Sequence, residues 1–170
     1  MSSDQPLDLL NRTLRDVTTA LLEACRRRRL MLATAESCTG GLLAGALTAI
    51  AGSSDVVERG FVVYSNAAKN EMLGVPMPLI ERYGAVSEEV ARALAEGAVA
   101  RSRADIAVSI TGIAGPGGGS AQKPVGLVHF ATARKGQPTL AQHRVFAGDR
   151  DMVRLASVAF ALSLIADRID

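Results

Sequence analysis

The chain has 170 residues, of which 48 % are hydrophobic and only 4 % aromatic, so it is long enough for one domain with a core of Ala, Leu, Val and Ile. Nineteen Lys and Arg oppose 17 Asp and Glu, which argues against a nucleic-acid-binding protein with a concentrated basic stripe. The two cysteines form no CxxC, and the first residues do not resemble a signal peptide. No apolar run reaches the roughly 18 residues that cross a bilayer. We therefore expect a cytoplasmic protein without a membrane partner.

The first half of the chain alternates helices with short strands. An amphipathic helix that ends at the basic run 26–29 is predicted by apolar residues at three- and four-residue steps, namely Leu7, Leu10, Leu14, Val17, Leu21 and Cys25. The elements predicted next are a buried strand, a small-residue helix, a second strand and a helix capped by Ser65, over residues 30–34, 40–51, 60–64 and 66–73.

The second half completes a mixed sheet. A short helix is predicted over 79–83, and a longer one runs from its N-cap Ser87 to about Arg101. Next come a third strand over residues 106–111 and a glycine-rich loop over 112–123. Two strands of a hairpin follow over 125–133 and 140–146, and a final helix over 149–165. Strands alternating with helices indicate an α/β protein, and the hairpin disfavours an all-parallel sheet. We therefore predict one domain, residues 1–170, built as a three-layer α/β/α sandwich with a mixed β-sheet.

Three polar or glycine-rich segments directly follow predicted strands, at residues 34–41, 64–69 and 111–119. In open α/β sheets, ligands bind beyond the C-terminal ends of the strands. We therefore expect the three segments to converge on one crevice, although each of them is a weak signal alone.

Ser37 lies between a predicted strand and a helix that opens with glycine, where its hydroxyl can face a ligand. The N–H groups of Thr39, Gly40 and Gly41 are then candidates for holding an oxyanion or a phosphate. The alternative is that Ser37 or Thr39 is only a helix N-cap, which is a common role for both residue types.

A nucleophilic serine needs a base. His129 and His143 lie inside predicted strands away from any turn, which argues against a Ser-His-Asp triad. Lys69, one turn into a helix that follows a strand, can act as the base if its amine is kept neutral, and Tyr64 can bridge the hydroxyl and the amine. The alternatives are an ordinary solvated lysine and a half-buried aromatic residue.

The glycine-rich loop offers backbone N–H groups that suit an anion. It is neither a P-loop nor a dinucleotide fingerprint, because no GK[ST] and no helix follow it; the alternative is a flexible surface loop. The SxxK pattern from Ser120 to Lys123 lies outside any predicted helix, so we discount it as a catalytic motif. Two separated histidines and no clustered carboxylates predict no metal site.

The three segments belong to six blocks that occur in a fixed order: AESCTGG (35–41), YSNAAK (64–69), GAVSEEV (84–90), TGIAGPGGG (111–119), KPVG (123–126) and FAGDR (146–150). Together they closely resemble the C-terminal domain of the competence/damage-inducible protein CinA, a family also found as stand-alone nicotinamide-nucleotide amidases. The resemblance runs from about Leu10 to Leu164.

The resemblance implies hydrolysis of nicotinamide mononucleotide (NMN) to nicotinate mononucleotide and ammonia in NAD recycling. The family's serine, tyrosine and lysine fall on Ser37, Tyr64 and Lys69, and their acyl-transfer chemistry requires neither a metal nor an organic cofactor. With a mononucleotide as substrate, the candidates for binding its phosphate are Gly115, Gly117, Gly118, Gly119 and Arg150. The alternative function is a non-catalytic nucleotide- or partner-binding module linked to competence or DNA damage.

A mean hydropathy of +0.20 and a helix over 40–51 that is small or apolar nearly all the way round predict a homo-oligomer with the crevice near a subunit contact. The alternative is that the fold buries this helix completely. The expected partners are thus a second copy of the chain and a nucleotide substrate, with no nucleic acid and no membrane.

Overall fold

The computed structural model describes residues 5–169, with side chains described from Arg12 onward. Helix α1 (Gln5–Arg28) carries three residues of the basic run, Arg26, Arg27 and Arg28, in its last turn, as predicted. The side chains of Leu7 and Leu10, two of the predicted apolar positions, lie outside the described part. Within residues 5–169, no helix is both long and apolar enough to cross a membrane.

Five strands form one sheet, in the spatial order β2-β1-β3-β4-β5. Their bounds are β1 (Leu32–Glu36), β2 (Val57–Val62), β3 (Ile106–Gly112), β4 (Leu127–Arg134) and β5 (Leu140–Val145). Strand β1 pairs in parallel with β2 and β3, whereas β4 runs antiparallel to both β3 and β5. The predicted mixed sheet is confirmed.

Helices cover both faces of this sheet. After α1 they are α2 (Leu42–Thr48), α3 (Asn66–Leu73), α4 (Met77–Tyr83), α5 (Glu88–Ala100) and α6 (Arg150–Ala166). Helices α1, α2 and α6 pack on one face against bulky strand residues such as Val108 and Ile110, and α3 to α5 pack on the other face against Ala35 and Ala107. The three-layer sandwich is therefore confirmed.

Helix α5 approaches the sheet closely because both surfaces present small side chains. Ala91 and Ala95 of the helix contact Ala131 and Ala133 of β4. The buried Ser109 hydroxyl donates a 2.6 Å hydrogen bond to the Ala91 carbonyl, so its polar atom is satisfied inside the core. A chain poor in aromatic residues thus builds a tight layer from alanine.

Several predicted elements have different bounds in the structure, and two of these differences have a clear cause. Helix α2 begins at Leu42 instead of residue 40, because Gly40 and Gly41 have φ values of +59° and +102°, which no right-handed helix contains. Strand β2 begins at Val57 rather than residue 60. Its first residues include the charged Glu58 and Arg59 and are partly exposed on an edge strand, so the apolar pattern did not reveal them.

The parallel strands bring their C-terminal ends to the same edge of the sheet. Strand β1 extends two residues beyond its predicted end, so Ser37 is the first residue after it, and the Ser37 N–H continues the ladder by donating to the Ile110 carbonyl. Strands β2 and β3 lie on opposite sides of β1, which is the arrangement that leaves a crevice for a ligand.

Candidate active site

A cavity of about 290 Å³ opens beyond the C-terminal ends of β1 and β3. All three segments that were expected to converge contribute to its lining, together with the connection between α4 and α5 and the start of α6. The predicted site residues among its lining are Ser37, Tyr64, Lys69, Gly115, Gly117, Gly118 and Arg150. The segments therefore meet at one crevice, as the strand order required.

Larger grooves lie elsewhere on the surface, two along α1 with volumes of about 350 and 540 Å³ and one against α5 with about 480 Å³. The described residues that line these three grooves include no lysine and no histidine. Covalent hydrolysis needs a nucleophile beside a base, and the smaller cavity holds such a pair.

The amine of Lys69 lies inside the protein, beside the hydroxyl of Ser37. Lys69 is only 1 % exposed, and it sits on the first turn of α3, which Ser65 caps by accepting a hydrogen bond from the Ala68 N–H. Lys69 Nζ lies 3.2 Å from Ser37 Oγ, 3.0 Å from the Val63 carbonyl oxygen and 3.2 Å from the Tyr64 carbonyl oxygen.

These three contacts suit a neutral amine. The two carbonyls can only accept, so they take the two N–H groups of a neutral amine and leave its lone pair directed at Ser37 Oγ, which can donate its proton. Burial lowers the pKa of Lys69 below its ordinary value of 10.5. Among the described side chains, no carboxylate forms an ion pair with Lys69 that would favour the charged form.

Glu36 organises the turn that carries Ser37. Its fully buried carboxylate accepts hydrogen bonds from the Thr39 hydroxyl and from the N–H groups of Gly41, Leu43 and Ala44, at 2.7 to 3.1 Å. The carboxylate therefore satisfies donors at the start of α2 that have no partner within the helix. Because Glu36 adjoins Ser37, these bonds hold the nucleophile's backbone against the sheet.

The predicted oxyanion donors of Gly40 and Gly41 are not free, so that expectation was wrong. The Gly40 N–H donates to the Ser37 carbonyl, and the Gly41 N–H donates to Glu36. Neither glycine lines the cavity, and neither does the buried Thr39. Cys38 does line it, and the Cys38 N–H donates to none of the described backbone carbonyls.

Cys38 is the only thiol among the described residues that line this cavity. Burial raises the pKa of its thiol to about 11. A thiol that stays protonated at neutral pH is a poor nucleophile. Because Lys69 hydrogen-bonds to the Ser37 hydroxyl, the geometry favours Ser37 as the reactive group.

The Tyr64 hydroxyl does not bridge Ser37 and Lys69, contrary to the sequence-based prediction. Tyr64 is 62 % exposed, and its Oη accepts a 3.2 Å hydrogen bond from Arg150. The contact with Lys69 is made by the Tyr64 backbone carbonyl instead. The side chain turns to the rim of the cavity because α6 supplies a guanidinium donor there.

Arg150 also fastens the glycine-rich loop to the rim. Its Nη1 donates a 2.8 Å hydrogen bond to the Gly115 carbonyl. Gly115, Gly117 and Gly118 line the cavity, but Gly119 packs against Val125, whose backbone nitrogen would lie 2.9 Å from a Cβ at that glycine. Three of the four predicted loop glycines thus reach the crevice, and Gly119 does not.

Sequence reasoning missed Glu36 and the cavity residues Asn66 and Thr111. Each of the three lies in a segment that the sequence analysis had selected, so its position next to a predicted site residue could have identified it.

His129 and His143 stack with ring centroids 5.3 Å apart, and neither lines the cavity. Within residues 5–169, no three His, Cys, Asp or Glu side chains group as metal ligands would.

Known proteins of one family match nearly the whole chain. A model of the CinA C-terminal domain family matches residues 14–169. The chain is 56 % identical over 128 residues to nicotinamide-nucleotide amidohydrolase PncC of Enterobacter agglomerans, covering 75 % of this chain and 78 % of that protein. The crystal structure of the competence/damage inducible protein CihA from Agrobacterium tumefaciens superposes with a TM-score of 0.88 at 50 % identity, covering 91 % of this chain and 94 % of that one.

Some relatives are much longer. A CinA-like protein of Akkermansia muciniphila is 51 % identical over 138 residues, which cover 81 % of this chain but only 33 % of that protein. The chain therefore spans about a third of the length of relatives of that kind.

Proposed function

The chain belongs to the CinA C-terminal domain family, and from that premise we propose that it is a nicotinamide-nucleotide amidohydrolase that converts NMN to nicotinate mononucleotide and ammonia. The observation that carries the proposal is the buried Lys69 amine 3.2 Å from the Ser37 hydroxyl, at a cavity beyond the strand ends. The identity to PncC of Enterobacter agglomerans supports the substrate.

The reaction proceeds by acyl transfer to Ser37. Neutral Lys69 takes the proton from Ser37 Oγ while that oxygen attacks the carboxamide carbon of the substrate. Lys69 then returns the proton to the nitrogen of the tetrahedral intermediate, the C–N bond breaks and ammonia leaves. A water molecule gives a proton to Lys69 as it attacks the acyl-enzyme, and the product leaves when Lys69 reprotonates Ser37.

The oxyanion of the tetrahedral intermediate needs a donor other than Gly40 and Gly41. We assign this role to the Cys38 N–H, because Cys38 follows the nucleophile and lines the cavity. Such a donor contributes about 3 kcal/mol to transition-state stabilisation. Glu36 supports this donor indirectly by holding the turn in place.

The substrate phosphate binds at the outer end of the cavity. Arg150 supplies the cation, and the N–H groups of Gly117 and Gly118 offer further donors to an anion. Tyr64, which Arg150 already contacts, positions this guanidinium and flanks the substrate rather than transferring the Ser37 proton.

The remaining proposals concern the setting of the enzyme. We expect it to act in NAD recycling in the cytoplasm, where the two buried free cysteines, Cys25 and Cys38, persist as thiols. The whole chain, residues 1–170, works as one amidohydrolase domain, and it assembles as a homo-oligomer. No nucleic acid, membrane, metal or organic cofactor takes part in the reaction.

An ammonia-release assay on purified protein with NMN tests the proposal. We expect stoichiometric ammonia and nicotinate mononucleotide, and transient labelling of Ser37 by the acyl group of the whole mononucleotide, with its ribose phosphate attached. Binding of NMN without release of ammonia would instead support a non-catalytic nucleotide-binding module.

A further inference from the structure

Two loops form facing walls of the candidate active site. The connection between α4 and α5 contributes Ala85 and Val86, and the glycine-rich loop contributes Gly115, Gly117 and Gly118. These backbone segments come from different parts of the chain, so the width of the cavity depends on whatever joins them.

Lys123 joins the two walls. Its Nζ donates hydrogen bonds of 2.6 and 2.7 Å to the carbonyl oxygens of Tyr83 and Val86. Its own backbone is locked into the end of the glycine-rich loop, because the Lys123 N–H donates to Ser120 Oγ and the Ser120 N–H donates to the Lys123 carbonyl. The Ser120–Lys123 pattern is therefore a structural turn that aims a lysine at the opposite wall.

The opposite wall is shaped to receive this lysine. Gly84 has a φ of +80°, and a Cβ at that position would lie 2.9 Å from Lys123 Nζ, so a side chain there would crowd the amine. On the other side of the same connection, the Thr111 hydroxyl donates to the Ala85 carbonyl. Strand β3 and Lys123 thus hold the connection from two directions.

We propose that Lys123 is a positioning residue that sets the spacing of these two walls and thereby the affinity of the cavity for the mononucleotide, which binds between them if the function proposed above holds. Lys123 does not line the cavity, and Ser37 and Lys69 are not among its hydrogen-bond partners. Losing it weakens binding of the ground state and the transition state alike, which raises KM and leaves kcat nearly unchanged.

The first test is steady-state kinetics of Lys123→Met, which keeps the length of the side chain and removes the donor. We expect KM for NMN to rise about tenfold, because the net free energy of one hydrogen bond corresponds to about that factor in affinity. The kcat should stay within about twofold of wild type. Lys123→Arg, which can still donate to both carbonyls, should restore much of the loss. The matched control is Lys135→Met in the β4–β5 hairpin, with KM unchanged. An unchanged KM in Lys123→Met, or a fall in kcat alone, would overturn the proposal.

Hydrogen exchange of the ligand-free proteins separates this proposal from the proposed function. Lys123→Met should exchange faster at residues 84–87 and 113–119 and at the wild-type rate in α6. Wild-type protein that releases no ammonia would refute the proposed function, and the exchange rates would still decide whether Lys123 joins the walls. If Lys123→Met exchanged at the wild-type rate in both segments, the positioning role would be refuted. If Lys123→Met does not fold, Lys123→Gln, whose shorter side chain weakens the contacts to the Tyr83 and Val86 carbonyls, gives the comparison instead.

Discussion

Lys69 Nζ lies 3.2 Å from Ser37 Oγ, although 32 positions separate the two residues in the chain. The contact joins the end of β1 to the first turn of α3. Both side chains are at least nine-tenths buried, so water competes little for the hydrogen bond and the pair is held before substrate arrives. A nucleophile and a base that are pre-positioned in this way are the basis of the first two predictions.

Ser37→Ala should abolish the release of ammonia from NMN while leaving the fold intact. The hydroxyl is the only group removed, and the turn is held by backbone bonds and by Glu36. Activity is measured by ammonia release, and the fold by thermal unfolding. Ser163→Ala, at the far end of α6, is the control and should behave as wild type. More than a tenth of wild-type activity in Ser37→Ala would exclude Ser37 as the nucleophile.

Activity should depend on the protonation of Lys69. Because burial lowers the pKa of Lys69, kcat/KM should rise with pH through that lowered pKa and then level off, as the neutral base forms. Lys69→Arg should be nearly inactive at every pH, since a guanidinium stays charged. The pH profile of kcat/KM for both proteins is the measurement, and an active Lys69→Arg protein would exclude the role of general base.

The same shift in pKa has a consequence for stability. The unfolded chain binds the Lys69 proton more tightly than the folded chain, so between the lowered pKa and 10.5 the free energy of unfolding rises with pH. Relative to Lys69→Met, wild-type protein should therefore gain stability as the pH is raised from 7 to 10 in urea unfolding experiments. A constant difference would contradict the lowered pKa.

Much of this site could be predicted from the sequence because its signals are local. Ser65 and Ser87 cap α3 and α5 as predicted, and the cap at Ser65 places Lys69 on the turn that faces the sheet. The conformation of Tyr64 could not be predicted, because it depends on Arg150, which lies 86 positions further along the chain. The role of Glu36 was hidden for a similar reason. A carboxylate at the end of a buried strand looks unfavourable until the folded turn brings four donors to it.

Glu36→Gln should destabilise the protein by about 2 kcal/mol, because an amide NH2 then faces a backbone N–H that is left buried without an acceptor. The expected readout is a lower urea midpoint with an unchanged slope. Glu96→Gln, on the exposed side of α5, is the control and should stay within about 0.5 kcal/mol of wild type. A similarly small effect of Glu36→Gln would contradict the proposed role of its carboxylate.

Arg150→Met should raise KM for NMN about tenfold or more, because a charge-assisted contact to the phosphate is lost. Nicotinamide riboside lacks the phosphate, so its KM should already be high and should change much less in the variant than the KM for NMN. Arg103→Met is the control, since residue 103 precedes β3 at the opposite end of the sheet. Equal specificity constants for the two substrates in wild-type protein would show that no phosphate site operates.

The final prediction concerns assembly. Helix α2 is not completely buried: Leu43 and Leu47 enter the core, whereas Leu42 is 37 % exposed, and Val62 on the neighbouring edge strand is 46 % exposed. Val62 lies beside the start of α2, since its Cγ2 would be 3.5 Å from a Cβ at Gly41. Exposed apolar side chains next to a functional cavity are typical of an association surface, and a second copy of the chain is the partner we expect.

Light scattering at micromolar concentration should give a mass of at least twice 17.7 kDa. Val62→Glu should shift the mass towards the monomer, because a charge cannot be buried at an apolar contact without a partner. Leu140→Glu is the matched control, since Leu140 is 50 % exposed on β5 at the other edge of the sheet, and it should leave the mass unchanged. A wild-type mass near 17.7 kDa would refute assembly, and an oligomer that withstands Val62→Glu would place its contact elsewhere than at α2.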